Sequence, residues 1–263
     1  MRKKLLLAIL LSLTCACSAN QSGGLLEKAM NGQAQIIDLT YPLNARTPYW
    51  PGGTYTPFSF ETIATIEKDK VFSGRFTTPE HLGTHVDAPN HFVAGQIPVD
   101  QIPVSQLIAP AVVINVKEKA QNNADYQLTP EDIRQWESEH AQIPTNAVVF
   151  LYTGWSDRYW DYPAYKNQDS QGAMHFPGFS PDSARFLVNE RKISGIGIDT
   201  LSVDYGLSKD FQVHHITHGA GKYHVENAGN LDKLPARGAV VIVAPIKIEG
   251  GSGGPARIFA IIP

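Results

Sequence analysis

Apolar positions recur along the chain as short runs bounded by polar, proline or glycine residues. Runs of this length and spacing are typical of buried β-strands rather than of long amphipathic helices. We therefore predict a series of strands that begins soon after the N-terminal region and continues to the C-terminus. The predicted strands span residues 35–39, 58–66, 111–116, 147–152, 195–199, 240–244 and 257–262.

Two helix starts are predicted between these strands. Thr129-Pro130-Glu131-Asp132 combines a hydroxyl cap, a proline in the first turn and acidic residues near the positive helix end. This helix is expected to run to about residue 139. Ser180-Pro181-Asp182-Ser183 repeats the pattern and predicts a helix toward residue 191. Residues 35–263 show neither an internal repeat nor a break in composition, so the fold class predicted is α/β, in a single domain.

The N-terminus has the pattern of an export signal. Basic residues 2–4 precede a short apolar run at residues 5–13, which is too short to span a bilayer as a permanent helix. The following Thr14-Cys15-Ala16-Cys17-Ser18 resembles a bacterial lipoprotein signal, in which Cys17 would become the lipidated first residue. Threonine replaces the usual leucine three positions before Cys17, which leaves simple secretory cleavage as the alternative.

We accordingly expect residues 1–17 to be a signal peptide and residues 18–33 to be a polar tether. The protein would be exported, to the periplasm or as an outer-membrane lipoprotein, with membrane attachment through a lipid anchor only. The mature chain would keep at most one cysteine and no internal disulfide.

The charge composition of the chain bears on whether it binds nucleic acid. Charge is nearly balanced at a formal −3, and no lysine or arginine run follows the first four residues. A nucleic-acid partner is therefore not predicted. Hydrophobic residues make up 43% of the chain, enough for one sizeable core.

The stretch 81–92, His-Leu-Gly-Thr-His-Val-Asp-Ala-Pro-Asn-His-Phe, concentrates residues that bind metals. Imidazole and carboxylate ligands suit zinc, manganese or iron. Its glycine and proline disfavour a helix, and in an extended segment His85 and Asp87 point to the same side. A bend at Gly83 would bring His81 to them. Three ligands from one loop leave coordination positions open, as a catalytic site requires.

Two other regions offer candidates. The segment 212–226 is rich in histidine and ends in a glutamate, and spacing alone does not choose among its members. These are His214, His215, His218, His224 and Glu226. Earlier, the Pro- and Gly-rich loop around Tyr49 and Trp50 would suit a flat aromatic substrate, although a tryptophan filling the edge of the core is an equal alternative. The glycine-rich run 250–254 is expected to let the backbone pass close to another group, such as a partner subunit.

Residues 81–92 resemble the HxGTHxDxPxHF signature of the cyclase-like metal-dependent hydrolases, a family that includes bacterial kynurenine formamidases and isatin hydrolases. Weaker matches follow in the expected order through most of residues 35–263. The resemblance implies a cyclase-like hydrolase domain at residues 34–263, with a swivelling β/β/α architecture and assembly into a homodimer or larger oligomer.

The same resemblance implies roles for individual residues. His81, His85 and Asp87 would bind one metal ion, and Asp87 would bridge to a second ion held by His214 and Glu226. His91 would transfer protons and Trp50 would contact the substrate. The implied cofactor is a divalent metal, zinc or manganese, with one or two ions per subunit. The roles of His215, His218 and His224 stay open.

Together with these residues, the resemblance implies a metal-dependent hydrolase that uses activated water to cleave an amide bond in a small aromatic substrate. An isatin-like cyclic amide is preferred over N-formylkynurenine, because kynurenine breakdown is normally cytoplasmic and this chain is predicted to be exported. The alternatives are an N-formylkynurenine formamidase and a catalytically inactive, lipid-anchored metal-binding protein. His91 favours an enzyme, since metal binding alone does not require it.

Overall fold

The computed structural model describes residues 24–263. The predicted signal peptide, including Cys17, and residues 18–23 of the predicted tether lie outside the described residues. Of the remaining tether, Leu25–Met30 forms an exposed helix, α1. No helix within residues 24–263 is both long and apolar enough to cross a membrane.

Strands dominate the described chain, and their bounds follow the predicted apolar runs closely. The strands are β1 (Gln35–Asp38), β2 (Ser59–Ala64), β3 (Ser73–Thr77), β4 (His85–Asp87), β5 (Ile108–Asn115), β6 (Gln127–Leu128), β7 (Val148–Tyr152), β8 (Gly178–Phe179), β9 (Gly195–Ile198), β10 (Tyr223–Glu226), β11 (Ala239–Pro245) and β12 (Gly253–Ile262). Eight of the strands form one barrel-like sheet, and β2-β3 and β6-β8 form two separate two-stranded sheets.

The helices are short, and the two that were predicted from the sequence begin at the expected residues. Thr129 and Asp132 form a reciprocal capping box, in which the Asp132 amide donates to Thr129 Oγ1 and the Thr129 amide donates to the Asp132 carboxylate. Ser180 and Ser183 make the same exchange. After α1 the helices are α2 (Ile66–Asp69), α3 (Val104–Leu107), α4 (Lys117–Asn122), α5 (Pro130–His140), α6 (Tyr162–Lys166), α7 (Pro181–Phe186), extended by a π-helical turn at Leu187–Arg191, and α8 (Gln212–Gly219).

An eight-stranded sheet in the order β1-β12-β11-β5-β7-β9-β10-β4 forms the body of the protein. Strands β5, β7, β9 and β10 run parallel, and β4, β11 and β12 pair antiparallel with their neighbours. The sheet closes because residues 253–255 of β12 pair with β4, while residues 256–261 pair with β11. This confirms the predicted α/β single-domain class.

Alternation along the parallel strands divides the core between the two faces of the sheet. On β5, Val113 packs into the cluster that contains Phe150, Val225 and Ile258. The neighbouring positions pack with α5 and α7, where the Trp136 indole donates to the carbonyl of Val113 at 2.9 Å. Side chains at successive positions of β5 therefore pack into the two core clusters on opposite faces of the sheet, as expected for a strand that is buried on both faces.

The strands that were not predicted from the sequence include β4 and β10, which are buried in the main sheet. Tyr223–Glu226 is fully buried as β10, although histidine and glutamate interrupt its apolar pattern. His85–Asp87 was predicted to be extended but not to pair, and as β4 it lies between β10 and β12. Both strands carry candidate metal ligands. These polar residues interrupt the apolar pattern from which buried strands are predicted.

Candidate metal centre

The bend predicted at Gly83 is present. Gly83 has φ +61°, and a Cβ there would lie 2.6 Å from Thr47 Cγ2, so both conformation and space favour glycine. The bend brings His81 Nδ1 to 2.6 Å from Asp87 Oδ1. His85 Nε2 lies 3.0 Å from the same oxygen. His81, His85 and Asp87 thus meet around one carboxylate oxygen.

The antiparallel pairing of β10 with β4 supplies the other side of the site. Its register sets Glu226 opposite His85, and Glu226 Oε2 lies 3.6 Å from His85 Nε2. Helix α8 contributes His214, whose Nε2 lies 3.4 Å from both Asp87 Oδ2 and Glu226 Oε1. The structure therefore gathers all the predicted metal ligands around Asp87.

Hydrogen bonds on the far side of two rings decide which nitrogen faces Asp87. His85 Nδ1 lies 2.8 Å from the carbonyl of Gly83, which can only accept, so this nitrogen carries the proton. His214 Nδ1 donates in the same way to Asp204 Oδ2 at 2.7 Å. A ring nitrogen fixed as a donor on one side leaves the other free to bind a cation. Both Nε2 atoms are therefore available to bind a metal ion.

His81 is oriented through a hydroxyl. Ser252 Oγ lies 2.9 Å from His81 Nε2 and donates its single hydrogen to the Glu80 carboxylate. Ser252 must then accept from His81 Nε2. Nδ1 of His81 is left facing Asp87, as the free nitrogens of the other two histidines are.

Buried atoms without a hydrogen-bond partner show that this arrangement fits a metal ion. Asp87 is 1% exposed. Within residues 24–263, Asp87 Oδ2 and His85 Nε2 make no hydrogen bond although both are buried. Buried acceptors facing one another are costly unless a cation lies between them. The mixed imidazole and carboxylate donors suit a divalent metal ion.

The raised pKa values of two histidines also indicate that the site favours a positive charge. Burial, which alone would lower the pKa of His85, is outweighed by the Asp87 carboxylate, and the pKa rises to about 9. Burial likewise opposes a raised pKa at His214, but the hydrogen bond to Asp204 and the nearby carboxylates raise it well above its usual value. Without a metal ion, protons therefore take the places between these rings and Asp87.

His91 lies apart from this ligand set but in contact with it. The 3-10 turn Pro89–His91 stacks its ring on His81, with centroids 3.8 Å apart. One ring nitrogen lies within 4.8 Å of ligand atoms of His81 and Asp87. Burial, followed by the neighbouring histidines, lowers the pKa of His91 to about 3 despite the attraction of Asp87. Its imidazole is therefore neutral at pH 7.

The predicted metal ligands, here called the ligand cluster, line a cavity of about 230 Å³; they are His81, His85, Asp87, His214 and Glu226. Trp50 lies in the wall of the same cavity and also packs against the core. Trp50 meets Phe211 edge to face, with ring centroids 5.7 Å apart. Phe211 has φ +46°, a left-handed conformation that is unusual for a bulky residue and places its ring at the start of α8. Tyr49, which the sequence analysis singled out together with Trp50, also lines the cavity. The remaining apolar and aromatic wall was not predicted; it consists of Tyr55, Phe92, Leu201 and Phe211.

The three histidines left open in the sequence lie in different environments. His215 is exposed on α8, whereas His218 and His224 are fully buried and stack with centroids 4.0 Å apart. Of these, His224 groups with Asp87, His214 and Glu226, and one ligand atom of each lies within 4.8 Å of the others. The sequence contained no signal that separated His224 from His218.

The glycine-rich run 250–254 passes close to the site within the same chain. A Cβ on Gly253 would lie 2.4 Å from the carbonyl of Val86 and 2.6 Å from His81 Cε1. The expected close approach is present within the chain, where it involves β4 and His81.

Comparison with known proteins identifies the family. Residues 37–205 match the family model described as putative cyclase. The isatin hydrolase of Roseibium aggregatum is 34% identical over 255 residues, which cover 91% of this chain and 96% of that protein. A kynurenine formamidase of Bacillus cereus is 29% identical over 225 residues, covering 85% of this chain and 96% of that protein.

A solved structure agrees with these relatives. Isatin hydrolase A of Labrenzia aggregata, bound to benzyl benzoate, superposes with a TM-score of 0.86 at 37% identity and covers 90% of this chain and 97% of that one. The predicted family and the prediction that the chain is an enzyme are confirmed. From the family model and these relatives together, the chain belongs to the cyclase family of hydrolases.

Proposed function

We propose that this protein is a metal-dependent hydrolase that opens the amide bond of a small aromatic substrate, preferably an isatin-like cyclic amide. One observation carries the proposal. In His81, His85 and His214, one ring nitrogen donates a hydrogen bond and the other carries no hydrogen. The three nitrogens without a hydrogen converge on the buried carboxylate of Asp87. They do so at the base of a cavity with aromatic walls.

His81, His85, Asp87, His214 and Glu226 would hold one or two divalent metal ions, which we propose to be zinc or manganese. Bound there, a divalent ion lowers the pKa of water from about 16 to about 7 and polarises a carbonyl oxygen. The chain contributes the orientation of these ligands, since Gly83, Ser252 and Asp204 fix the ring nitrogens that face Asp87.

His91 is proposed to move the proton. Its ring lines the cavity and stacks on His81, and it lies beside the ligand cluster without a side-chain hydrogen bond that would hold it to another protein group in residues 24–263. A neutral imidazole at this position can accept a proton from water and deliver it to the leaving nitrogen. His91 therefore has the position of a general base that becomes a general acid.

The walls of the cavity support an aromatic substrate. Trp50, Phe92 and Phe211 present rings around the ligand cluster, with Phe92 and Phe211 centroids 5.3 Å apart. Aromatic rings stack or meet edge to face, which favours a flat ligand over a flexible aliphatic one. The isatin hydrolase relatives favour a cyclic amide, and the kynurenine formamidase relative makes N-formylkynurenine the second candidate.

Turnover of isatin and of N-formylkynurenine, followed by absorbance, tests the proposal. The protein is first stripped of metal with a chelator and then restored with zinc or manganese. We expect restored protein to hydrolyse isatin faster than N-formylkynurenine, and stripped protein to hydrolyse neither. The Asp87→Ala variant should lose both bound metal and turnover. Full turnover by stripped protein, or by Asp87→Ala, would contradict the mechanism.

We also propose that the chain assembles into a homodimer or larger oligomer. The hairpin of β2 and β3 is supportive, because it projects large apolar side chains into solvent: Phe60, Ile63, Ile66, Val71, Phe72 and Phe76. Apolar groups clustered in this way mark interaction surfaces. Light scattering on wild type and on a Phe60→Ser, Phe76→Ser variant would show the variant as a monomer; an unchanged mass would exclude this surface.

Export to the periplasm, with a lipid anchor on Cys17, is likewise proposed from residues 1–17 of the sequence alone. Mass spectrometry of the mature N-terminus from membrane and soluble fractions would decide between a lipidated Cys17 and simple secretory cleavage.

A further inference from the structure

We infer that Nδ1 of His224 is a ligand of a second divalent ion, which His214, Glu226 and Asp87 complete. This rests on the proposed function and deepens it, because it assigns a further residue to the same metal centre. His224 does not line the cavity and lies behind the ligand cluster, on β10.

A hydroxyl decides which nitrogen of His224 carries the hydrogen. Thr217 Oγ1 donates to the carbonyl of Val213 at 2.7 Å. A hydroxyl has one hydrogen, and a carbonyl can only accept it. Nε2 of His224, which lies within hydrogen-bond distance of the same Thr217 oxygen, must therefore be the donor. Nδ1 of His224 therefore carries no hydrogen, and its lone pair is available to bind a cation.

That lone pair faces a second acceptor. His224 Nδ1 lies 3.6 Å from Asp87 Oδ2, and neither atom has a hydrogen-bond partner within residues 24–263. His224 is 0% exposed. Two buried acceptors directed at each other leave an uncompensated desolvation cost. A cation between them satisfies both, and His214 Nε2 and Glu226 Oε1 lie close enough to complete its ligand set.

The two carboxylate oxygens of Asp87 therefore serve different positions. Oδ1 faces His81 and His85, whereas Oδ2 faces His214 and His224. Of these four histidines, His224 is the one that does not line the cavity. Four protein ligands complete a tetrahedral zinc site, while three leave a place for water or substrate. The position at His224, His214, Glu226 and Asp87 would thus have four protein ligands, whereas the position at His81, His85 and Asp87 would have three and keep a place for water or substrate.

Metal stoichiometry and affinity test this without reference to turnover. Zinc content after dialysis is measured by elemental analysis, and affinity by competition with a chelator. We compare wild type with His224→Phe and with the matched control His218→Phe, which removes the ring stacked on His224 but no proposed ligand. Circular dichroism verifies that both variants fold.

We expect two zinc ions per subunit in wild type and in His218→Phe, but one in folded His224→Phe. Two ions bound to folded His224→Phe with wild-type affinity, or a single ion in wild type, would overturn the inference and leave the proposed function standing. No metal binding by wild type would overturn the proposed function itself.

A second variant keeps the inference testable if His224→Phe does not fold. Thr217→Val preserves side-chain size but removes the oxygen that accepts from His224 Nε2. Loss of such an orienting partner weakens metal binding by about 10- to 100-fold. We expect the second ion to weaken by that factor while the first is unchanged. Equal affinities for both ions in wild type and Thr217→Val would contradict the inference.

Discussion

Asp204 accepts a hydrogen bond from His214 Nδ1 at 2.7 Å and also accepts the backbone amides of Val213 and His214, each at 3.1 Å. One carboxylate thus satisfies amides at the start of α8 and fixes the ring that the helix presents to Asp87. Negative charge at a helix N-terminus is favourable, so the same group stabilises the helix.

We predict that Asp204→Asn weakens metal binding about 10- to 100-fold, because the amide no longer enforces a protonated Nδ1 on His214. The control is Asp210→Asn, which removes a carboxylate near the same helix start that contacts Gln212 and not His214. Chelator competition measures both. Equal losses in the two variants would mean that charge near the helix, rather than ring orientation, accounts for the effect.

Gly253 and Gly254 form a matched pair for the close approach of β12 to the site. A Cβ on Gly253 would lie 2.4 Å from the carbonyl of Val86, whereas a Cβ on Gly254 finds its nearest neighbour, the Ile246 carbonyl, at 3.4 Å. Gly253→Ala must therefore separate β12 from β4 and displace His81. We expect it to lose bound metal and about 2 kcal/mol of stability.

Gly254→Ala is expected to keep its metal content and to stay within about 1 kcal/mol of wild type in urea unfolding. If both alanine variants behaved like wild type, the contact between β12 and His81 would be more adaptable than the structure indicates.

His91→Gln separates proton transfer from metal binding. We predict a fall in kcat of about 100- to 10,000-fold for amide hydrolysis, the usual contribution of a positioned general acid or base. Metal content should be unchanged, since the ligand atoms around Asp87 stay in place. His140→Gln, on α5 and away from the cavity, is the control for histidine loss. Loss of metal from His91→Gln would instead make His91 a ligand.

Metal affinity should rise with pH through the neutral range. The carboxylate of Asp87 raises the pKa of His85 to about 9, so below that pH the metal-free ring is protonated and an incoming ion must displace the proton. Binding at pH 7 should therefore release protons, and at pH above 9 release should diminish. Calorimetry in buffers of different ionisation enthalpy measures the release, and a buffer-independent enthalpy at pH 7 would contradict the prediction.

An ion pair far from the site gives an acid-sensitive contribution to stability. Glu137 accepts from Arg191 Nε at 2.6 Å and Nη2 at 2.8 Å, and from the amide of Ile143 at 3.0 Å. Although burial opposes it, Arg191 lowers the pKa of Glu137 below 4.5. A lowered folded-state pKa stabilises the protein above the unfolded-state value, and this stability is lost as pH falls through the folded-state pKa.

Glu137→Gln should thus cost about 2 kcal/mol at pH 7 and less at about pH 3, measured by urea unfolding. Glu139→Gln, whose side chain is 57% exposed on the same helix, is expected to change stability by less than about 0.5 kcal/mol at either pH. A Glu137→Gln deficit that did not shrink in acid would exclude the charged pair as its origin.

The sequence by itself determined the local features. Thr129 and Ser180 begin helices where their capping patterns predict, and the apolar runs become strands of one α/β domain. Gly83, His85 and Asp87 could be placed correctly because a bend and an extended segment are decided within a few residues. The spacing of ligands inside one loop is a local property, and local conformation is encoded nearby in the chain.

Only the tertiary structure decided how distant segments meet. His218 and His224 are alike in the sequence, but the antiparallel register of β10 with β4 places His224 opposite Asp87. The same pairing buries Tyr223–Glu226 as a strand despite its polar residues. A strand's register depends on its partner, so no pattern within residues 212–226 could distinguish the histidine that faces Asp87 from the one stacked behind it.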